Sequence, residues 1–122
     1  MTKKTADHAK NTMTELALRD GSTVKLTLSY RYLMELSSFD RKAYNDYNAI
    51  WNKKQKDREE IDNVRAAYAA YLCAAIQEGT QDQAMSWEEF LDNITLDREA
   101  LGYALMELLA PKHKGDFERL SE

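Results

Sequence analysis

The sequence predicts an α+β domain, an N-terminal β-hairpin followed by four to five α-helices that form a small helical domain. Three observations carry this. Apolar residues alternate on both sides of Asp20-Gly21. Beyond residue 30 the apolar spacing changes to three and four, the period of a helix with one buried face. Strand patterns come first and helical patterns later, which is the order of an α+β fold rather than of a βαβ array.

The hairpin spans 15–28. Leu16 and Leu18 alternate with Ala17 and Arg19, and Val24, Leu26 and Leu28 alternate with Lys25 and Thr27. Period two puts each apolar set on one face of a strand. Asp-Gly tolerates the positive φ of a tight turn. A lone hairpin is marginal in water, so its apolar face must rest on the helices.

The first helix is expected over 30–36, with Ser29 as its cap and a restart at Ser37-Ser38. The second, over 38–54, carries Ala43, Tyr44, Tyr47, Ile50 and Trp51 on one face. Residues 52–60 are wholly polar, and Asp57 with Glu60 reads as a capping box, so the chain breaks there. The third helix, over 58–78, has a stripe of Ile61, Val64, Tyr68, Tyr71, Leu72, Ala75 and Ile76, and Gly79 ends it. Ser86 and Glu89 form a second capping box, which opens a helix over 87–94 with Trp87, Phe90, Leu91 and Ile94. Asp97 opens the last helix, over 97–110, with Leu101, Ala104, Leu105, Leu108 and Leu109 inward, and Pro111 stops it. Lys112, His113 and Lys114 suit its C-terminus. The expected organisation is one domain over 14–114 between flexible tails at 1–13 and 115–122.

Composition narrows the function. With 43% hydrophobic and 31% charged residues the 122-residue chain can bury a core without disulfide or metal. A single cysteine, Cys73, permits no intrachain disulfide and favours a reducing compartment. No apolar run approaches the roughly 20 residues of a membrane span. The polar N-terminus, with Lys3, Lys4, His8 and Lys10, does not read as a signal peptide. A net charge of −4 makes nucleic acid a poor default partner.

Enzyme chemistries find little support, and no catalytic, metal or cofactor site is assigned. No phosphate-cradling glycine motif occurs. The two histidines, His8 and His113, stand far apart and do not make a zinc spacing with Cys73. Cys73 lies among Leu72 and Ala74, as a buried small hydrophobe does. The acidic pairs Glu59-Glu60, Glu88-Glu89 and Asp97 with Glu99 sit where helix N-termini attract negative charge. The basic run of Lys53, Lys54, Lys56 and Arg58, beside Tyr47 and Trp51, offers an alternative reading as a small nucleic-acid-binding regulatory protein. Its dilution by Asp57, Glu59, Glu60 and Asp62 makes a solvated bend the better account.

The aromatics remain. Seven Tyr and two Trp exceed what a modest core needs. They serve as packing and boundary residues or as anchors of a protein interface. The partner-binding candidates are Tyr44, Tyr47, Trp51, Tyr68, Tyr71, Trp87 and Phe90.

Four pieces, in order, resemble a known family. They are the strand–turn–strand start, Tyr-Arg-Tyr-Leu-Met-Glu-Leu over 30–36, the Ala/Tyr-rich helix over 67–76, and Met-Ser-Trp-Glu-Glu-Phe-Leu-Asp-Asn-Ile over 85–94 before an acid-capped last helix and Pro111-Lys112. This pattern, from about residue 14 to residue 114, resembles the tail assembly chaperones of long-tailed bacteriophages and prophages of Gram-positive hosts. None of its pieces is a catalytic signature. The resemblance implies a non-catalytic protein in the host bacterial cytoplasm. It would bind the tape measure protein, keep it soluble while tail tube protein assembles around it, and be able to form a homo-oligomer. Residues 115–122 match no motif of that family.

Overall fold

A computed structural model describes residues 13–109. Strands β1 (Met13–Ala17) and β2 (Thr23–Thr27) pair antiparallel, with Thr14 opposite Leu26 and Leu16 opposite Val24. Five helices follow: α1 (Tyr30–Phe39), α2 (Arg41–Trp51), α3 (Glu60–Glu78), α4 (Trp87–Asn93) and α5 (Arg98–Leu109). The α+β class read from the sequence is the class observed. The expected tails, Pro111 and the Lys112-His113-Lys114 cluster lie outside the described residues, apart from Met13, which belongs to β1.

The turn works as its residues suggest. Gly21 takes φ +93°, and Asp20 Oδ1 accepts from the Ser22 amide at 2.9 Å and from its hydroxyl at 2.6 Å. Strict alternation fails at the end of β2. Leu26 and Thr27 are adjacent, so they face opposite sides, yet both are fully buried. The last residue of β2 is therefore covered on both faces.

The first two helices meet at Asp40 rather than at Ser37-Ser38. Ser37 fits inside α1 by donating its hydroxyl to the Met34 carbonyl at 2.6 Å. Asp40 then ends α1, donating its amide to Leu36 at 2.7 Å, and caps α2, its carboxylate accepting from the Ala43 amide at 3.1 Å. The break after α2 falls in the polar stretch, as a loop with one 3₁₀ turn at Gln55–Asp57. The cap of α3 is shifted by two residues from the expected Asp57/Glu60 pair. Asp62 accepts from the Glu59 amide at 2.9 Å and from Lys53 Nζ at 2.8 Å, and this second partner selects Asp62.

Helix α3 is the centre of the molecule and packs against β2, α1, α2 and α5. It is buried nearly all round, with Ala66, Ala67, Ala69, Ala70, Leu72 and Cys73 all in the core. A helix that is apolar on every side belongs in an interior. Its alanines let neighbouring elements approach closely. Leu16, Leu26, Leu36, Leu72 and Phe90 have almost no exposed surface, and each such side chain contributes about 1.5–3 kcal/mol. Gly79 ends α3 at φ +77°.

The segment after α4 returns to the hairpin, which the sequence did not disclose. The Thr95 amide donates to the Ala17 carbonyl at 3.2 Å, and the Arg19 amide donates to the Asn93 carbonyl at 2.8 Å. Residues 93–95 thus flank the β1 edge, with Leu18 opposite Ile94.

Candidate partner-binding surfaces

The seven candidate aromatics do not form one exposed surface. Tyr68, Tyr71, Trp87 and Phe90 make a cluster that joins α4 to α3. The Phe90 ring lies 5.1 Å from that of Tyr68 and 5.4 Å from that of Tyr71, and Trp87 lies 5.3 Å from Tyr68. The two hydroxyls hold the same residue between them. Tyr68 donates to the Met85 carbonyl at 2.9 Å, and the Tyr71 hydroxyl accepts from the Met85 amide at 2.8 Å. Burial, with Asp40 the next cause, pushes the Tyr68 phenol up to about 12, so it keeps its proton.

Tyr44, Tyr47 and Trp51 lie on α2. Tyr47 meets Trp51 edge-on at 5.8 Å. Tyr47, Tyr68 and Phe90 are only 7%, 6% and 0% exposed, so their rings have no face left for another chain. As partner contacts those three are corrected to core residues: Tyr68 lies on α3 beneath Phe90 of α4, and Tyr47 and Phe90 pack into the same core. Tyr44, Tyr71 and Trp87 are half-buried, and Trp51 is exposed with the Arg58 guanidinium 4.8 Å above its ring.

The basic run is partly used up within the chain. Lys53 is held by Asp62, and Arg58 stacks on Trp51, which leaves Lys54 and Lys56 turned to solvent without an ion pair among the described residues. The Lys53 ammonium and the Glu59 amide hold the Asp62 carboxyl below the usual range of an aspartate. Among the acidic pairs, Glu89 accepts from the Ser86 amide at 2.9 Å, Asp97 accepts from the amides of Glu99 and Ala100, and Glu60 pairs with Arg98. These are capping and surface roles.

Cys73 is fully buried, and burial pushes its thiol up to about 12. It stays protonated at neutral pH and packs as an apolar group. His8 and His113 lie outside the described residues. Among the described residues no cluster of His, Cys, Asp or Glu has the geometry of a metal site, and no helix is long and apolar enough to cross a membrane.

An open groove of about 280 Å³ lies between α2, α3 and the start of α4, lined in part by Asp40, Lys42, Asp46, Arg65 and Trp87. Lys42 and Asp46 neutralise each other there at 2.9 Å.

Sequence reasoning missed an apolar exposure on the last helix. Helix α5 buries Leu101, Ala104, Leu105 and Leu108, and it also turns Tyr103 and Met106 outward at 63% and 62% exposure. Leu109, expected inward, is exposed on the same helix, and Leu96 is exposed just before it. The signal was present as a second stripe at 103, 106 and 109, three residues apart. Tyr30, Met34 and Phe39 make a second exposed group of comparable size on α1, with Tyr30 at 84% exposure.

Comparison with family models, with curated proteins and with solved structures finds no match to this chain.

Proposed function

We propose that this chain is a non-catalytic protein-binding module, a tail assembly chaperone that holds the tape measure protein soluble in the host bacterial cytoplasm and assists tail tube assembly. The observation that carries a binding role is the outward face of α5. Tyr103, Met106 and Leu109 form a stripe at helical spacing on a helix whose opposite stripe already packs in the core. Apolar side chains grouped in this way mark interaction sites. Such a stripe fits the apolar face of an amphipathic client helix, whose anchors recur at the same spacing. Tape measure proteins are long and largely helical, so the client follows from the resemblance of the segments 30–36, 67–76 and 85–94 to that family.

The test is co-expression with the tape measure protein encoded nearby. Wild-type chain should raise that protein's solubility and co-elute with it. Met106→Glu should abolish both effects and leave the far-UV circular dichroism unchanged. An insoluble tape measure protein in the presence of wild-type chain, with no complex on size exclusion, overturns the reading.

A further inference from the structure

Among the described residues the hairpin leaves one of its two edges without a neighbouring strand, and its hydrogen bonds show which groups lie there. The Leu18 amide donates to the Ser22 carbonyl at 2.7 Å, so the even-numbered residues of β1 turn their backbone groups toward β2. The Ala17 carbonyl accepts from Thr95 and the Arg19 amide donates to Asn93, so the odd-numbered residues turn away from β2. This alternation continues through an antiparallel ladder of unbroken register. Glu15–Lys25 and Ala17–Thr23 are therefore the non-hydrogen-bonded pairs. The N–H and C=O of Thr23 and of Lys25 point out from the far side of β2.

The two edges are treated unequally. Residues 93–95 flank the C-terminal end of β1, whereas no strand among the described residues lies beside β2. A lysine on an edge ordinarily keeps foreign strands away. Here Lys25 is neutralised by Glu78 at 2.9 Å. Along this edge runs an open groove of about 350 Å³, lined on the side away from β2 by Tyr71, three alanines (Ala74, Ala75 and Ala84) and the polar Glu78, Thr80 and Gln83. Three alanines in that wall leave depth for a side chain.

We propose that the outer edge of β2 is a docking site for an extended segment of a partner chain, which adds as a further strand through the backbone of Thr23 and Lys25. The geometry sets the class of occupant. Two N–H/C=O pairs spaced two residues apart match the backbone of a β-strand, whereas a helix satisfies its own backbone groups. The alanine part of the groove seats one aliphatic side chain of that strand, with Glu78, Thr80 and Gln83 at its polar border. This site shares no residue with the outward face of α5, and it stands or falls independently of the tail assembly reading.

The test uses the full chain, labelled with nitrogen-15, and the acetylated, amidated peptide Lys-Thr-Val-Thr-Val-Thr-Lys as probe. In the free protein the Thr23 and Lys25 amides should exchange rapidly with solvent while Val24 and Leu26 are protected; equal protection of all four overturns the proposal. At millimolar peptide the Thr23 and Lys25 amide signals should shift and their exchange should slow. The same peptide N-methylated at alternate residues cannot pair and should do neither. Thr23→Pro removes an outward N–H that the hairpin does not use, so it should weaken peptide binding about tenfold while the Leu16 and Leu26 methyl signals stay in place. Unchanged spectra with peptide, shifts confined to α5, or undiminished binding by a folded Thr23→Pro chain each overturn the proposal.

Discussion

Lys53 closes an ion pair of 2.8 Å on Asp62, whose side chain is only 2% exposed. The same carboxylate accepts from the Glu59 amide and so starts α3. Asp62→Ala should therefore cost about 1–2 kcal/mol in urea denaturation, less than a fully buried pair because Lys53 stays partly in water. The pair also sets a pH dependence. The folded pKa of Asp62 lies below its unfolded value, so the folded chain binds fewer protons in that window and stability rises with pH through it. The contribution is complete above the unfolded value of about 4 and disappears as pH falls through the folded one. Urea midpoints recorded from neutral pH down to about pH 3 should fall more steeply for the wild type than for Asp62→Asn.

The same pair bears on the nucleic-acid reading. With Lys53 spent on Asp62 and Arg58 stacked on Trp51, only Lys54 and Lys56 of that run are unpaired among the described residues and open to phosphate. Two contacts give a salt slope of only about −2 and weak binding. No duplex shift is expected at low salt. A tight complex with a steep salt dependence, lost in a Lys54→Glu, Lys56→Glu chain, would instead favour a nucleic-acid regulator.

How much was legible follows from how far each cause reaches along the chain. The Asp20-Gly21 turn, the Ser86–Glu89 box and the Gly79 terminus act within a few residues, and each stands where its residue types place it. By residue type Asp57/Glu60 is the better local cap, yet Glu59/Asp62 is the pair that forms. Lys53, nine residues before Asp62, decides between them, and a local pattern does not contain that contact. The pairing of residues 93–95 with β1 is more distant still. Three of the seven aromatic candidates, Tyr47, Tyr68 and Phe90, lie in the core for a related reason. A periodic stripe shows that one face is apolar but not which neighbour covers it, and α3, apolar nearly all round, covers Tyr47 on α2 and Phe90 on α4. The exposed stripe of α5 is hard to read from the sequence because the inward stripe alone accounts for the helix.

Phe90 anchors α4 through the aromatic cluster. Phe90→Ala should cost about 3–5 kcal/mol, since its ring is fully buried between Tyr68 and Tyr71. At roughly 4–8 °C per kcal/mol for a domain of this size, the melting temperature should fall by at least about 12 °C. A loss under about 1 kcal/mol would show that α4 is not packed as described.

Tyr68 and Tyr71 grip opposite ends of one residue, Met85. Tyr68→Phe and Tyr71→Phe should each cost about 1 kcal/mol, because each leaves a Met85 backbone group without its partner. Once either bond is lost the segment can shift and find solvent. The double variant should therefore cost clearly less than the sum of the singles, and a double-mutant cycle by urea denaturation measures this coupling. Strict additivity would mean that the two bonds hold Met85 independently.

Tyr103 and Met106 are mostly in water, so polar substitution there removes little packing. Tyr103→Ser and Met106→Ser should each change folding stability by less than about 0.5 kcal/mol, as surface substitutions do. Their neighbours Leu105 and Leu108, on the opposite stripe, should each cost about 2–5 kcal/mol as alanine. This contrast along one helix separates the two roles. If the outward stripe holds a client, Met106→Ser should weaken complex formation in calorimetry at full folding stability. Tyr103→Ser should do the same, since exposed aromatic anchors carry much of an interface's energy. Substitutions on α2 at Tyr44 supply the comparison: unchanged binding there together with loss at 103 and 106 places the client on α5, and the reverse pattern places it on the half-buried aromatics instead.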